Sequence, residues 1–164
     1  MNQPSVDPRT HPPFWRHDWY TLHRLRQAIE NTIQQYFHHL PDGPIVDVGA
    51  GSAPYKSLFS VVDKPYLCCD IDDNAQVKIT PGEALPLEAK SSAAVVSFQV
   101  LEHVWDLDWY LGECLRVLND NGYLLLSTHG VWPYHPHPTD FRRWTIAGLS
   151  KELEVRGLEI VSVT

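Results

Sequence analysis

The stretch Ile45-Val46-Asp47-Val48-Gly49-Ala50-Gly51-Ser52-Ala53-Pro54-Tyr55 decides the fold of this 164-residue chain. Its first residues are mostly apolar and β-branched, which is typical of a buried parallel strand. The two glycines that follow lack a Cβ, so backbone N–H groups can approach a ligand closely. A second apolar run ends in Asp70, nineteen residues after Gly51, about the spacing at which a carboxylate reaches ribose hydroxyls in a Rossmann-type unit. The sequence therefore predicts an α/β fold with a nucleotide-cofactor site after its first strand.

Two side chains near this turn select the kind of nucleotide. A dinucleotide turn usually reads G-x-G-x-x-G, whereas Pro54 occupies the third glycine position here. Asp47 ends the strand two residues before the first glycine, where its carboxylate would repel a pyrophosphate and attract a cationic ligand. S-adenosylmethionine has a ribose for Asp70 and carries an ammonium and a sulfonium but no phosphate. The residues favour this cofactor, and a nicotinamide-dependent oxidoreductase is the less favoured alternative.

Ordered blocks of sequence extend the pattern beyond the turn. They are D-V-G-A-G-S with C-D-I-D at 47–52 and 69–72, G-E-A-L-P-L at 82–87, S-F-Q-V-L-E-H-V at 97–104 and L-R-V-L-N-D-N-G-Y-L-L-L at 115–126. These blocks resemble the class I S-adenosylmethionine-dependent methyltransferases, most closely the type 11 group that acts on small molecules. The resemblance runs from about Pro44 to the C-terminus. It implies an α/β fold with a doubly wound, mostly parallel sheet and helices on both faces.

The resemblance also implies a set of cofactor-binding residues. The methionine end would lie at the glycine turn, Asp70 would bind the ribose and Ile71 would pack on the adenine. Because Pro81 stands where family members often carry an acid, adenine recognition would rely on backbone groups and Glu83. The implied set is Asp47, Gly49, Ala50, Gly51, Asp70, Ile71, Glu83, Gln99 and Val100.

The segment from His129 to Thr145 is the predicted substrate loop, because it follows the fifth strand at the edge where open α/β sheets bind ligands. We expect His129 or His135 to act as a base and Asp140 to orient it. Arg142 or Arg143 would hold an anionic or polar group of the substrate. The alternative is that Asp140 pairs with the arginines locally. His135, His137 and Asp140 also allow a metal site, but a hydrogen-bonded surface cluster is favoured, and no metal is assigned.

Other candidates surround the same predicted pocket. Glu102 and His103 follow the fourth strand, and a structural or cofactor-pocket role is favoured for them over a role of His103 as base. Aromatic residues of the N-terminal helix either pack on the sheet, which is favoured, or wall the substrate pocket together with Trp15. The predicted substrate-binding set is Trp19, Tyr20, His103, Trp132, Tyr134, Arg142 and Arg143.

Three regions follow from composition and periodicity. Residues 1–13 are rich in proline and polar groups and predict a flexible or surface-draped arm, and 14–43 predict a helical cap whose helix runs from about Asp18, its N-cap, to His39. Residues 44–164 form the cofactor-binding domain, with a last strand at Leu158–Val163. The C-terminal hairpin usual in the family looks incomplete. We therefore expect either a truncated chain or a sheet completed by a partner, such as a second copy in a homo-oligomer.

Composition excludes several classes of function. The net charge of −7 and the lack of a Lys/Arg cluster disfavour a nucleic-acid partner. Three cysteines fit reduced core residues and predict a cytoplasmic protein, and no apolar run is long enough to predict a membrane span. The sequence thus predicts an S-adenosylmethionine-dependent methyltransferase that transfers a methyl group to a small molecule by in-line displacement. The alternative is a noncatalytic S-adenosylmethionine-binding module of a larger assembly.

Overall fold

A five-stranded parallel sheet forms the centre of the computed structural model, which describes residues 7–136 and 138–164. Its order is β3-β2-β1-β4-β5, and every ladder is parallel, as predicted. The chain runs outward from β1 in both directions, so β1 and β4 mark the point where ligands bind in such sheets. The strands are β1 (Ile45–Val48), β2 (Tyr66–Asp70), β3 (Val77–Lys78), β4 (Ser92–Phe98) and β5 (Leu118–Ser127).

Three α-helices accompany the sheet: α1 (Trp19–Tyr36), α2 (Leu107–Val117) and α3 (Ile146–Glu154). Shorter 3₁₀ helices span Phe37–His39, Lys56–Val61 and Leu101–His103. The helix that follows β1 is thus a 3₁₀ helix, and its six residues are too few for a stable α-helix. None of the helices in the described ranges is long and apolar enough to cross a bilayer.

Side chains alternate between the two faces of the sheet. Val46 and Val48 of β1 belong to the apolar cluster that α2 and α3 cover, while Ile45 belongs to the cluster that α1 covers. Helices therefore lie on both faces, as a doubly wound sheet requires. Asp47 follows the same alternation, so its carboxylate projects on the α1 side among apolar groups.

The N-cap predicted at Asp18 is wrong in one respect. Asp18 does precede α1, but its carboxylate caps no backbone N–H of the helix. Instead it accepts two hydrogen bonds from the Arg16 guanidinium, at 2.8 Å and 2.6 Å. A bidentate, charge-assisted interaction is stronger than a single hydrogen bond from a neutral N–H. This difference explains why Asp18 pairs with Arg16 and does not cap the helix.

The strand predicted at Leu158–Val163 does not form. Leu158 and Ile160 pack against the cluster under α2 and α3, but the segment pairs with no strand of the described residues. Val161 and Val163 are each 52% exposed. Apolar spacing alone predicted this strand, whereas a strand also needs a neighbouring backbone for its hydrogen bonds.

Part of the predicted arm at 1–13 lies outside the described residues, which begin at Asp7. From there the chain lies against α1. Thr10 is only 2% exposed, and its carbonyl oxygen accepts a hydrogen bond of 3.1 Å from Arg26. Residues 7–13 are therefore draped over the first helix.

Candidate active site

The glycine turn after β1 is tied to the end of β2. The N–H groups of Gly49 and Ala50 donate to the Cys69 carbonyl oxygen at 2.8 Å and 3.1 Å. The Gly51 N–H donates to Oδ2 of Asp70 at 2.6 Å. The structure thus joins the predicted ribose-binding acid to the predicted methionine-binding turn, so both stand at one point of the sheet edge.

The two glycines of this turn are needed for different reasons. At Gly49, where φ is +84°, an added Cβ would lie 2.6 Å from Cγ2 of Val100. At Gly51, where φ is +52°, an added Cβ would meet no atom within 4 Å. The first glycine allows close packing, and the second leaves space on the side where a ligand would lie.

We expect Gly49→Ala to lower the free energy of unfolding by about 2–4 kcal/mol, because overpacking against Val100 adds to backbone strain. Gly51→Ala, the matched variant, should cost only about 1 kcal/mol, since strain alone acts there. Urea unfolding of both variants measures the difference. Equal losses would contradict the assigned contact between residues 49 and 100.

Asp47 is a buried acid at the end of β1, only 2% exposed. Its Oδ2 accepts a hydrogen bond of 2.7 Å from the Tyr66 hydroxyl. Burial raises the pKa of Asp47 to about 6; the Tyr66 hydrogen bond opposes this rise, and the nearby charge of Asp70 adds to it. Ionising a buried acid is costly, and a bound cation would offset that cost. The raised pKa of Asp47 therefore fits a site that binds a cation.

Gln99 and Val100 lie at the end of β4, beside the glycine turn. Gln99 has a φ of +58°, and both its backbone N–H and its side-chain amide donate to Ser127, at 2.8 Å and 2.9 Å. The buried Tyr110 hydroxyl bonds Ser97 at 2.9 Å and donates to the Val48 carbonyl oxygen at 2.8 Å. These bonds fix the ends of β1, β4 and β5 relative to one another.

The residues predicted to contact the adenine are more exposed to solvent than those around the glycine turn. Ile71 is 60% exposed, and its contact with an adenine ring stays a prediction. Glu83 is exposed too, and its carbonyl oxygen accepts a 2.7 Å hydrogen bond from the Trp109 indole. Arg116 donates to the carbonyl oxygens of Leu85 and Leu87, which fixes the 82–87 segment on α2.

A second group of polar side chains stands where β4 and β5 end. It consists of Glu102, His103, His129 and His135, and we refer to it as the histidine cluster. The Glu102 side chain is fully buried, and its Oε2 accepts a 2.8 Å hydrogen bond from the Thr128 hydroxyl. Its Oε1 lies 3.2 Å from Nε2 of His129 and 3.9 Å from Nε2 of His103. Burial lowers the pKa of His129, and the charge of Glu102 opposes that effect.

The loop after β5 closes over this cluster. Nε2 of His135 lies 3.2 Å from Nε2 of His103, and the ring of Trp132 stacks on His129 at 5.2 Å between centroids. Asp140 lies 3.2 Å from Nδ1 of His135, and its side chain is 1% exposed. The prediction that Asp140 orients a histidine agrees with this contact. The hydrogen-bonded cluster favoured for His135 and Asp140 agrees with this pairing, in which the His135 side chain stays 32% exposed while that of Asp140 is covered.

The two arginines of the loop donate hydrogen bonds to nearby groups of the protein. Arg143 donates to both carboxylate oxygens of Asp140 and to the carbonyl oxygens of Trp132 and Pro133, and it holds the pKa of Asp140 well below its usual range. Arg142 donates to the Trp105 carbonyl oxygen at 2.9 Å. Local acceptors thus take up the N–H groups of Arg143, in agreement with the alternative of local pairing, and the substrate role of Arg142 or Arg143 stays a prediction.

For three predicted substrate residues, Trp19, Tyr20 and Tyr134, the substrate role stays a prediction. Trp19 stacks on His23 of its own helix at 5.2 Å, and Tyr20 and Tyr134 are 68% and 71% exposed. The packing role favoured for α1 agrees with its apolar face. His137, which the sequence grouped with His135 and Asp140, lies outside the described residues.

Sequence reasoning missed the central place of Glu102. It was assigned a structural or cofactor-pocket role, whereas its carboxylate stands between two histidines and Thr128. A signal was present, because Glu102 comes four residues after the end of a strand whose residues are all buried, and a buried acid must be paired or functional. The pairing with His129 is not visible in the sequence, since it joins the segments that follow two different strands.

A family model described as a methyltransferase domain matches residues 46–126, which run from β1 to β5. Residues 46–126, just under half of the chain, match this family. The match confirms the family predicted from the sequence and, with it, the class of cofactor that the family uses.

Curated relatives of this methyltransferase domain are named as "probable" S-adenosylmethionine-dependent methyltransferases. One from Mycolicibacterium smegmatis is 28% identical over 159 residues, and one from Mycobacterium tuberculosis is 32% identical over 103 residues. These alignments cover 87% and 56% of the chain, but only 60% and 38% of the relatives' lengths.

A solved structure confirms the fold class of the methyltransferase domain. The YcgJ protein from Bacillus subtilis has a TM-score of 0.63 and 17% identity, covering 81% of this chain and 69% of its own. A match at this identity concerns the arrangement of strands and helices alone.

Proposed function

We propose that the chain is an S-adenosylmethionine-dependent methyltransferase that acts on a small-molecule acceptor. One observation carries the proposal: the Gly51 N–H and the Asp70 carboxylate meet at 2.6 Å beside a turn with open space. The histidine cluster stands at the ends of β4 and β5, along the same sheet edge. The proposed cofactor and acceptor sites would therefore adjoin, as a direct transfer between two bound molecules requires.

The cofactor would lie with its ribose on Asp70 and its methionine end toward Asp47 and the glycine turn. The ammonium of that end would offset the cost of ionising the buried Asp47. S-adenosylmethionine supplies an electrophilic methyl group on a sulfonium, and the leaving thioether is neutral. The domain therefore gains most by holding the acceptor atom in line with the methyl group, and Gln99 and Val100 would limit that space.

Titration with S-adenosylhomocysteine tests the cofactor site. We expect Asp70→Ala to weaken binding about 10- to 150-fold, because a charge-assisted contact of about 1.5–3 kcal/mol is lost. Asp73→Ala is the matched control, since Asp73 lies in the same loop but pairs with Lys78. Unchanged affinity in Asp70→Ala would contradict the placement of the ribose.

A radiolabelled-methyl screen over phenols, amines and sugars tests the transfer itself. Turnover of one class would identify the acceptor. S-adenosylhomocysteine binding without turnover across the panel would favour the noncatalytic module instead.

The cytoplasmic location and the homo-oligomer stay predictions. The free cysteines, Cys68, Cys69 and Cys114, agree with a reducing compartment.

A further inference from the structure

In the histidine cluster, the Nε2 atoms of two imidazole rings face each other. Nε2 of His103 and Nε2 of His135 are 3.2 Å apart, and the rings meet edge to face. The opposite nitrogens are both engaged. Nδ1 of His103 lies 3.0 Å from the Thr139 carbonyl oxygen, and Nδ1 of His135 lies 3.3 Å from the Pro133 carbonyl oxygen and 3.2 Å from Asp140.

These partners determine where the ring protons are. A carbonyl or carboxylate oxygen only accepts, so each Nδ1 carries a proton, and each Nε2 of a neutral ring then presents a lone pair. Two lone pairs at 3.2 Å repel each other unless a cation lies between them. That cation is either a proton shared by the two rings or a metal ion that both rings bind.

The third side chain distinguishes these two possibilities. Oε1 of the fully buried Glu102 receives no hydrogen bond from the described residues, and it lies 3.9 Å from Nε2 of His103. The three atoms all lie within 4.8 Å of one another. Nε2 of His129 approaches the same oxygen to 3.2 Å without forming a hydrogen bond. A proton shared by the two rings leaves Oε1 with this contact alone, whereas a metal ion would use Oε1 as a third ligand.

We propose that Glu102, His103 and His135 form a binding site for a first-row transition metal ion such as Zn²⁺. Two tetrahedral ligands at about 2.0–2.1 Å from a zinc ion are about 3.3 Å apart, close to the separation of the two Nε2 atoms. Two imidazoles with one carboxylate suit zinc or ferrous ions better than magnesium, which prefers oxygen ligands. The Nδ1 contacts to Thr139 and Asp140 are of the kind that orients histidine ligands.

The site would have a position for the acceptor. Three protein ligands leave at least one coordination position open in catalytic zinc sites, and a hydroxyl bound there loses its proton more easily. The acceptor class would then be a molecule with a hydroxyl or another metal-binding oxygen. The metal site itself does not depend on methyl transfer, because its ligands are fixed by the fold.

Metal binding by the full chain tests the proposal without any cofactor or acceptor. After chelator treatment, Zn²⁺ is titrated in competition with a chromophoric chelator, and Co²⁺ is added separately to record its visible absorption. We expect one Zn²⁺ per chain. His103→Ala should weaken binding by about 100-fold or more, since loss of even a ligand's outer partner costs 10- to 100-fold. His38→Ala, which removes an exposed histidine far along the sequence, is the matched control and should bind as the unchanged chain does.

Glu102→Gln gives a second, independent test, because it removes the charge but retains the shape and the contact with Thr128. Circular dichroism verifies that each variant is folded. Weakened binding in both His103→Ala and Glu102→Gln supports the site. No stoichiometric Zn²⁺ in the unchanged chain, or equal binding by His103→Ala and His38→Ala, overturns it and leaves the shared proton. Either result is independent of whether S-adenosylhomocysteine binds, so it can be separated from failure of the proposed function.

Discussion

Replacing His129 by glutamine is expected to lower the rate of methyl transfer about 10²- to 10⁴-fold, the contribution typical of a positioned base. His129 is the histidine whose Nε2 lies 3.2 Å from the buried Glu102 carboxylate, while Trp132 stacks on its ring. The carboxylate favours a proton on Nε2, which leaves Nδ1 as the nitrogen able to accept one from the acceptor. The measurement is turnover of an acceptor found in the methyl screen.

The affinity for S-adenosylhomocysteine serves as the internal control for His129→Gln. It should stay unchanged, because the proposed cofactor contacts lie mainly at the ends of β1, β2 and β4, away from His129. His39→Gln, a change of an exposed histidine on the helix after α1, should alter neither quantity. Turnover within a factor of about three of the unchanged chain would show that the acceptor needs no base at this position.

Replacing Asp47 by asparagine is expected to raise the free energy of unfolding of the cofactor-free protein and to lower its affinity for the cofactor. The pKa of Asp47 is raised from 3.8 to about 6, chiefly by burial. A rise of about two pKa units corresponds to roughly 3 kcal/mol of unfolding free energy. Asparagine has a similar shape, and its carbonyl oxygen can still accept the hydrogen bond from Tyr66.

The direction of the pH dependence follows from the raised pKa. The folded protein retains the Asp47 proton more tightly than the unfolded chain, so the associated stability is present below about pH 4 and is lost as pH rises through 6. The variant has no such group. Its advantage should therefore be near zero at pH 4 and reach roughly 3 kcal/mol above pH 6.

Urea unfolding at several pH values measures this advantage, and calorimetry with S-adenosylhomocysteine measures the expected loss of affinity. Asp42→Asn is a matched control, because Asp42 is a solvent-exposed acid that precedes the same strand. A variant that is less stable than the unchanged chain at pH 8 would contradict the burial cost assigned to Asp47. Unchanged affinity would remove Asp47 from the cofactor site.

The sheet was predictable because local sequence determines most of it. The run at Ile45–Val48 has the apolar pattern of a strand buried on both faces, and the helix at Ile146–Glu154 begins after Thr145, whose hydroxyl caps it. The strand predicted at Leu158–Val163 failed for the opposite reason. Its formation depends on a neighbouring strand, which its own residues do not specify.

The site was predictable in its parts but not in its combination. The glycine turn and Asp70 are one local motif repeated in many proteins, so their meeting followed from spacing. The histidine cluster joins the end of β4, the end of β5 and the loop beyond, and no spacing rule covers those distances. The pairing of Asp140 with an arginine was one of two alternatives that the sequence left open, because the same residues could equally have contacted a substrate.

The close approach of Gly49 to Val100 links two segments that are about fifty residues apart in the chain. An alanine at 49 fits only if the side chain at 100 shrinks, and a larger residue at 100 fits only while 49 has none. Each position therefore restricts the side chains that fit at the other. A larger residue at this turn requires a smaller one at position 100, so the two residues together determine how closely the ends of the first and fourth strands approach each other.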